Sequence, residues 1–197
     1  MSKQCVLISI RPQWCELVAN GKKTIELRKT RPKLETPFKC YIYCTAPKKF
    51  YKISERMATS MEYLHLCDGK VTMSDGFEFF GREDYKALNR KVIGEFVCDK
   101  MYGIYYSIYP HDPLVFEEVG TLNRPDVIAE TCLSEIELDN YLSGNNGYGW
   151  NISALQIYDK PRELSEFRKP IMPTGLRYED DAIKRATQSW CYVEELT

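Results

Sequence analysis

Nine residues near the start of the chain, Gly21-Lys22-Lys23-Thr24-Ile25-Glu26-Leu27-Arg28-Lys29, hold the densest chemistry in the sequence. Charged and apolar residues alternate there directly after a turn glycine, the pattern of a strand whose polar face is loaded with functional groups. Strict alternation puts Thr24, Glu26 and Arg28 on one face and Lys23, Ile25 and Leu27 on the other. Arg28 offers a planar bidentate fork for a phosphate or a base edge. Glu26 offers an acceptor that either orients Arg28 or takes a proton from an amino group. A lysine desolvated beneath an aromatic wall can lose its proton near neutral pH, and a neighbouring carboxylate can position water, so Lys23 also suits hydrolysis. A purely structural Glu26–Arg28 ion pair explains the same spacing, and on the residues alone structure, binding and catalysis all stay open.

Other chemistries are poorly supplied. The two histidines, His65 and His111, are far apart and match no ligand spacing, which argues against an imidazole triad or a catalytic zinc site. Gly144-Asn145-Asn146-Gly147 lacks the spacing and the following lysine of a phosphate-cradling loop. No metal site and no cofactor is expected. The eight cysteines include no Cys-x-x-Cys pair, and the apolar run after Met1-Ser2-Lys3-Gln4 is too short for a secretory signal. They read as reduced, buried thiols of a cytoplasmic protein, with Cys40 and Cys44 on one strand face. No segment approaches the roughly 18 consecutive apolar residues of a membrane span.

Charge limits any nucleic-acid binding to a local patch. The net charge is −1, so the whole molecule exerts no long-range pull on a polyanion. Between residues 22 and 39, however, seven bases (Lys22, Lys23, Arg28, Lys29, Arg31, Lys33 and Lys39) face two acids, Glu26 and Glu35. A solvated basic face accounts for such a run as readily as a nucleic-acid site does.

These groups need elements to position them. At 197 residues, with 44% hydrophobic and 28% charged residues, the chain suits one globular domain spanning 1–197, with an insertion at about 47–90. Val6 to Ile10 reads as a first strand stopped by Arg11-Pro12. A short helix follows, with Trp14, Leu17 and Val18 at helical spacing and Asn20-Gly21 as its stop. The Lys22–Arg28 strand runs out of that cap, and Phe38 to Cys44 is a third strand. Within the insertion, Lys48 to Tyr51 is expected to begin a helix and Val71-Thr72-Met73 to belong to a small hairpin. The core pattern resumes at Lys91–Lys100, where Gly94 suggests a bulge, and Tyr102 to Tyr109 is expected to extend the same sheet. Ser134 caps a helix to about Leu142. Trp150 to Tyr158 reads as one strand broken by Pro161, Leu164 and Phe167 anchor a helical turn, and Trp190 to Val193 forms a last strand.

The run Leu7-Ser9-Ile10 with Pro12, a short helix, and then Gly21-x-Lys23-x-x-Glu26-x-Arg28 resembles the ASCH family, the activating-signal-cointegrator homology domains, whose signature is Gly-x-Lys-x-x-Glu-x-Arg. Every fixed position is met. Val92-Ile93-Gly94-Glu95, Tyr148-Gly149-Trp150, Ile157-Tyr158-Asp159-Lys160-Pro161 and Ser189-Trp190-Cys191-Tyr192-Val193 continue the similarity at both ends of the chain.

The resemblance implies an α+β, mostly β fold, a PUA-like β-barrel flanked by short helices, with a cleft between barrel and helix floored by the signature. Gly21 would supply the turn, Lys23 an ammonium facing the cleft, and Glu26 and Arg28 the polar pair for recognition. A bulge after Gly21 would carry Lys23 to the face of Glu26 and Arg28. Related small proteins hydrolyse 4-acetylcytidine with the equivalent lysine, a threonine where this chain has Glu26, and a later glutamate. Glu130, Glu135 and Glu137 are candidates for that glutamate by order alone.

The expected function is an RNA or nucleotide-binding module. Lys22, Lys23, Arg28, Lys29, Arg31 and Lys33 would engage phosphates, and Trp14, Tyr148 or Trp150 would stack a base. One alternative is an amidohydrolase acting on acetylated cytidine, or a ribonuclease, with Lys23 and Glu26 as catalytic groups. Another is a protein-interaction domain that meets its partner through residues 47–90.

Overall fold

Val6, Ile8 and Ile10 alternate with Cys5, Leu7 and Ser9 along the first strand, and both sets are buried. A strand covered on both faces must lie inside a sheet with packing above and below it. The computed structural model describes residues 3–45, 70–72, 78–80, 90–106, 114–117, 124–171, 174–175 and 181–196. The elements in chain order are β1 (Gln4–Ile10), α1 (Pro12–Ala19), β2 (Ile25–Arg28), β3 (Phe38–Cys44), β4 (Lys70–Thr72), β5 (Glu78–Phe80), β6 (Val92–Cys98), β7 (Met101–Tyr106) and β8 (Leu114–Glu117). They continue with α2 (Arg124–Thr131), α3 (Glu135–Leu142), β9 (Gly147–Asn151), β10 (Ser153–Arg162), a 3₁₀ turn at Leu164–Glu166 and β11 (Trp190–Glu194).

The fold is α+β and mostly β. Its strands form a five-stranded sheet, β10-β6-β3-β1-β11, a four-stranded sheet, β2-β9-β7-β8, and the pair β4-β5, without closing into a single barrel. β1 and β3 run parallel, which requires the crossover that α1 and β2 provide. Val6, Ile8, Ile10, Cys40, Ile42 and Cys44 pack with Cys15 and Val18 of α1 and with Phe96 and Trp150. The opposite face of the large sheet buries Cys5, Leu7, Tyr41, Phe167 and Val193. Leu27, Ile104, Leu138 and Leu142 form a third cluster under α3. Among the described residues no helix is long and apolar enough to cross a membrane.

Several sequence expectations are met closely. α1 starts on Pro12 and ends at Asn20, with Gly21 at φ +68°, a left-handed conformation that glycine adopts without penalty. Ser134 caps α3 in a reciprocal capping box with Glu137. The register of β3 on β6 shifts beside Gly94, where an added Cβ would lie 2.4 Å from the Gln156 carbonyl oxygen. β4 and β5 pair antiparallel around the expected hairpin. Apart from these two strands and Arg90, the 47–90 insertion, including the helix expected at Lys48–Tyr51, and both histidines lie outside the described residues.

Other expectations are corrected. β7 joins the four-stranded sheet instead of extending the sheet of β6, because the chain turns at Asp99-Lys100. Asn151 holds that turn by donating to Asp99 Oδ1 at 2.7 Å and, through its backbone, to the Lys100 carbonyl at 3.1 Å. Trp150 to Tyr158 is two strands in different sheets, changing over at Ile152, whose N–H donates to the Thr24 carbonyl. Pro161 does not end β10, which continues to Arg162, because β10 is an edge strand and one missing donor is tolerated there.

Candidate ligand-binding site

The signature strand begins later than alternation predicts. Lys22 and Lys23 both donate their backbone N–H to the Leu17 carbonyl, at 2.9 and 3.0 Å, so they belong to the closing turn of α1 and β2 starts at Ile25. Lys23 therefore escapes the two-residue period. The expectation that it opposes Glu26 and Arg28 is overturned, and no bulge is needed. Its Nζ lies 3.6 Å from Glu26 Oε2, while Glu26 Oε1 is 2.9 Å from Arg28 Nη1. All three residues are buried, Lys23 at 2%, Glu26 at 4% and Arg28 at 9% exposure.

The cations are further tied to backbone oxygens. Arg28 donates from Nη2 to the Ser9 carbonyl at 2.6 Å and from Nη1 to the Leu27 carbonyl at 3.2 Å. Lys23 donates to the Thr131 carbonyl at 2.6 Å, at the C-terminal end of α2, where helix carbonyls favour a cation. Its ammonium also stands 5.3 Å from the centre of the Trp14 ring. Burial pulls the Lys23 ammonium below its ordinary value of 10.5, with the Glu26 carboxylate opposing that shift.

The end of α2 is fastened to the signature by more than this one contact. The Thr24 backbone donates to the Glu130 carbonyl at 3.0 Å, the Thr24 hydroxyl to Glu130 Oε2 at 2.9 Å, and Cys132 Sγ to the Lys22 carbonyl at 3.2 Å. Of the three candidate later glutamates, Glu130 is therefore the one beside the signature. Glu137 is engaged in the cap of α3, and Glu135 is exposed in its first turn.

β2 pairs antiparallel with β9, so Glu26 faces Trp150 and Arg28 faces Tyr148. Trp150 has 0% exposure and lies against Phe38 at 5.8 Å and Trp190 at 6.0 Å between ring centres. It presents no ring face to an external base, unlike the half-buried Trp14 and Tyr148. Three polar atoms of this face are buried without a hydrogen-bond partner among the described residues: Glu26 Oε2, Arg28 Nε and Trp150 Nε1.

Around the buried group runs an exposed rim. Gly21, Lys22, Lys29, Arg31 and Lys33 all face solvent. Lys29 stands 5.6 Å from the Tyr141 ring centre and Arg31 5.7 Å from that of Tyr148. Tyr141, on α3, was not foreseen; nothing near it in sequence ties it to Lys29.

No protein-family model matches the chain, and no curated protein matches it. Three solved structures of ASCH from Zymomonas mobilis are similar to it at 15% identity. A serine-to-alanine variant gives a TM-score of 0.49 over 96% of this chain and 88% of that one. The unsubstituted protein gives 0.43 over 96% and 87%, and a tyrosine-to-phenylalanine variant 0.44 over 81% and 75%. These are likenesses of an ASCH-like fold alone.

Proposed function

We propose that this chain is an RNA or nucleotide-binding module. The observation that carries the reading is the pairing of bases with aromatic rings along and around the signature: Lys23 with Trp14, Lys29 with Tyr141, and Arg31 with Tyr148. A single strand is recognised by such a surface because cations meet its phosphates while ring faces meet its bases. Lys22, Lys29, Arg31 and Lys33 are the phosphate contacts in this reading, and Trp14 and Tyr148 the stacking residues. Lys23 and Arg28 belong to the buried group behind this rim.

Fluorescence anisotropy of a short labelled single-stranded RNA tests this. With about four phosphates neutralised, the logarithm of affinity is expected to fall against the logarithm of salt concentration with a slope of about −3. Lys29→Glu combined with Arg31→Glu is expected to lower affinity at least about tenfold, since each phosphate contact contributes to a common electrostatic term. No measurable binding, or binding indifferent to that double change, refutes the reading.

One observation favours hydrolysis as a second reading. Lys23 is buried with its proton affinity lowered and lies beside a carboxylate, the condition under which a lysine serves as a general base. Incubation with acetylated cytidine, or with RNA, tests it. Released acetate or cleaved strand that disappears with Lys23→Ala supports hydrolysis, and turnover equal to that of the variant refutes it.

A further inference from the structure

The interior of the site and its rim select for different parts of a ligand. Inside, the charged nitrogens are already engaged: both Arg28 Nη atoms with Glu26, Leu27 and Ser9, and Lys23 Nζ with Thr131. A phosphate entering there would meet the Glu26 carboxylate in a low-dielectric setting, where like charges repel strongly. The groups without a hydrogen bond are one acceptor, Glu26 Oε2, which faces the Lys23 ammonium at 3.6 Å and has lone-pair capacity left, and two donors, Arg28 Nε–H and Trp150 Nε1–H. The side chains of Glu26 and Trp150 are more than nine-tenths buried, that of Arg28 is 11% exposed, and the pairing of β2 with β9 puts all three on one face. Leaving such groups unpaired costs free energy that a complementary ligand would recover.

Their complement is a neutral edge with one donor and two acceptors. Cytosine offers an amino N–H with ring N3 and O2. Uracil offers ring N3–H with O4 and O2. The Watson–Crick edge of guanine has the opposite balance, two donors and one acceptor, and that of adenine has one of each. The geometry points to a pyrimidine base taken edge-on by Glu26, Arg28 and Trp150, while the phosphates stay on the exposed rim. This inference rests on the RNA-binding reading above and names the base that the site selects. The three atoms are shut off from solvent in the free chain, so the base enters by displacing a side chain. In this proposal Trp14, half-buried beside Lys23 and packed on the same core cluster as Trp150, swings aside to admit the base and then stacks on it.

Binding of labelled strands of equal length, oligo(U), oligo(C), oligo(A) and an abasic strand, is the experiment, read by anisotropy together with intrinsic tryptophan fluorescence. The three tryptophans of the chain all lie in or against one cluster, so that signal reports on this site. Both pyrimidine strands are expected to bind at least tenfold tighter than oligo(A) and the abasic strand, and to change the emission. Trp150→Phe, which keeps a ring and removes the N–H, is expected to bring the pyrimidine advantage within threefold, and an advantage undiminished in that variant overturns the inference. A strand of 3-methyluridine, which lacks the N–H that Glu26 would accept, tests the same point without altering the protein. It is expected to bind no better than the abasic strand. Equal affinity for all four strands, a preference for oligo(A), or undiminished affinity for 3-methyluridine overturns the inference while leaving RNA binding intact. Failure of every strand to bind overturns both.

Discussion

Glu26 stands between two cations, so its removal and theirs have unequal effects. Glu26→Ala leaves Lys23 and Arg28 buried together with no carboxylate, and unpaired buried charge typically costs about 3–5 kcal/mol. Lys23→Met leaves the 2.9 Å Glu26–Arg28 pair in place and removes a charge whose burial is already unfavourable, so its effect is expected to be near neutral. Urea midpoints of the two variants check this order, and equal losses contradict it. Lys23 also fixes a pH dependence. Its folded pKa lies below 10.5, so between that lowered value and 10.5 the unfolded chain holds more protons, and this residue's contribution to stability rises with pH. Buried thiols act in the opposite sense. Burial pushes Cys5 from 9.0 to about 11 and Cys98 to about 12, so each loses stability for the chain as pH climbs past 9.0. Subtraction isolates the lysine: relative to Lys23→Met, the native chain is expected to gain stability as pH approaches 10.5. A pH-independent difference would refute the assignment.

At the scale of elements, what the sequence made legible was local chemistry. Proline at the start of α1, glycine after it, and the Ser134–Glu137 box each act within a few residues, and they mark these helices correctly. Ser134→Ala is expected to cost about 1 kcal/mol through loss of the cap. Gly94→Ala is expected to cost more and to loosen β10 from β6, because the clash is with backbone at Gln156. Thermal unfolding ranks the two, and a Gly94→Ala chain as stable as Ser134→Ala contradicts the ranking. What stayed hidden depends on distant partners. Lys23 leaves the alternation because the Leu17 carbonyl captures its N–H. Thr24 meets Glu130 across 106 residues, a pairing that no local pattern encodes. The change of sheet at Ile152 is invisible in a run of continuous β-formers, where period alone cannot say which neighbour a strand will choose.

On the scale of the whole molecule, the last strand matters most to the site. β11 pairs antiparallel with β1 from Gln4↔Glu194 to Ile8↔Trp190, joining the two ends of the described chain. It also braces the basic rim: Trp190 Nε1 donates to Thr30 Oγ1 at 3.1 Å, and the Tyr192 hydroxyl accepts from the Lys33 N–H at 2.7 Å. Ser9, whose carbonyl receives Arg28, donates its N–H to the Ser189 carbonyl and its hydroxyl to the Thr187 carbonyl. The consequence is one of timing. Contacts of such sequence separation form late, after more local structure has closed the intervening loops. In pulse-labelled hydrogen exchange during refolding, the Lys33 and Ser9 amides are expected to gain protection after those of β6; earlier protection would contradict this order. A chain emerging during synthesis would thus carry a finished α1 and an exposed run of bases well before β11 arrives to fix the carbonyl of Ser9 beneath Arg28 and the backbone of Lys33 at the rim.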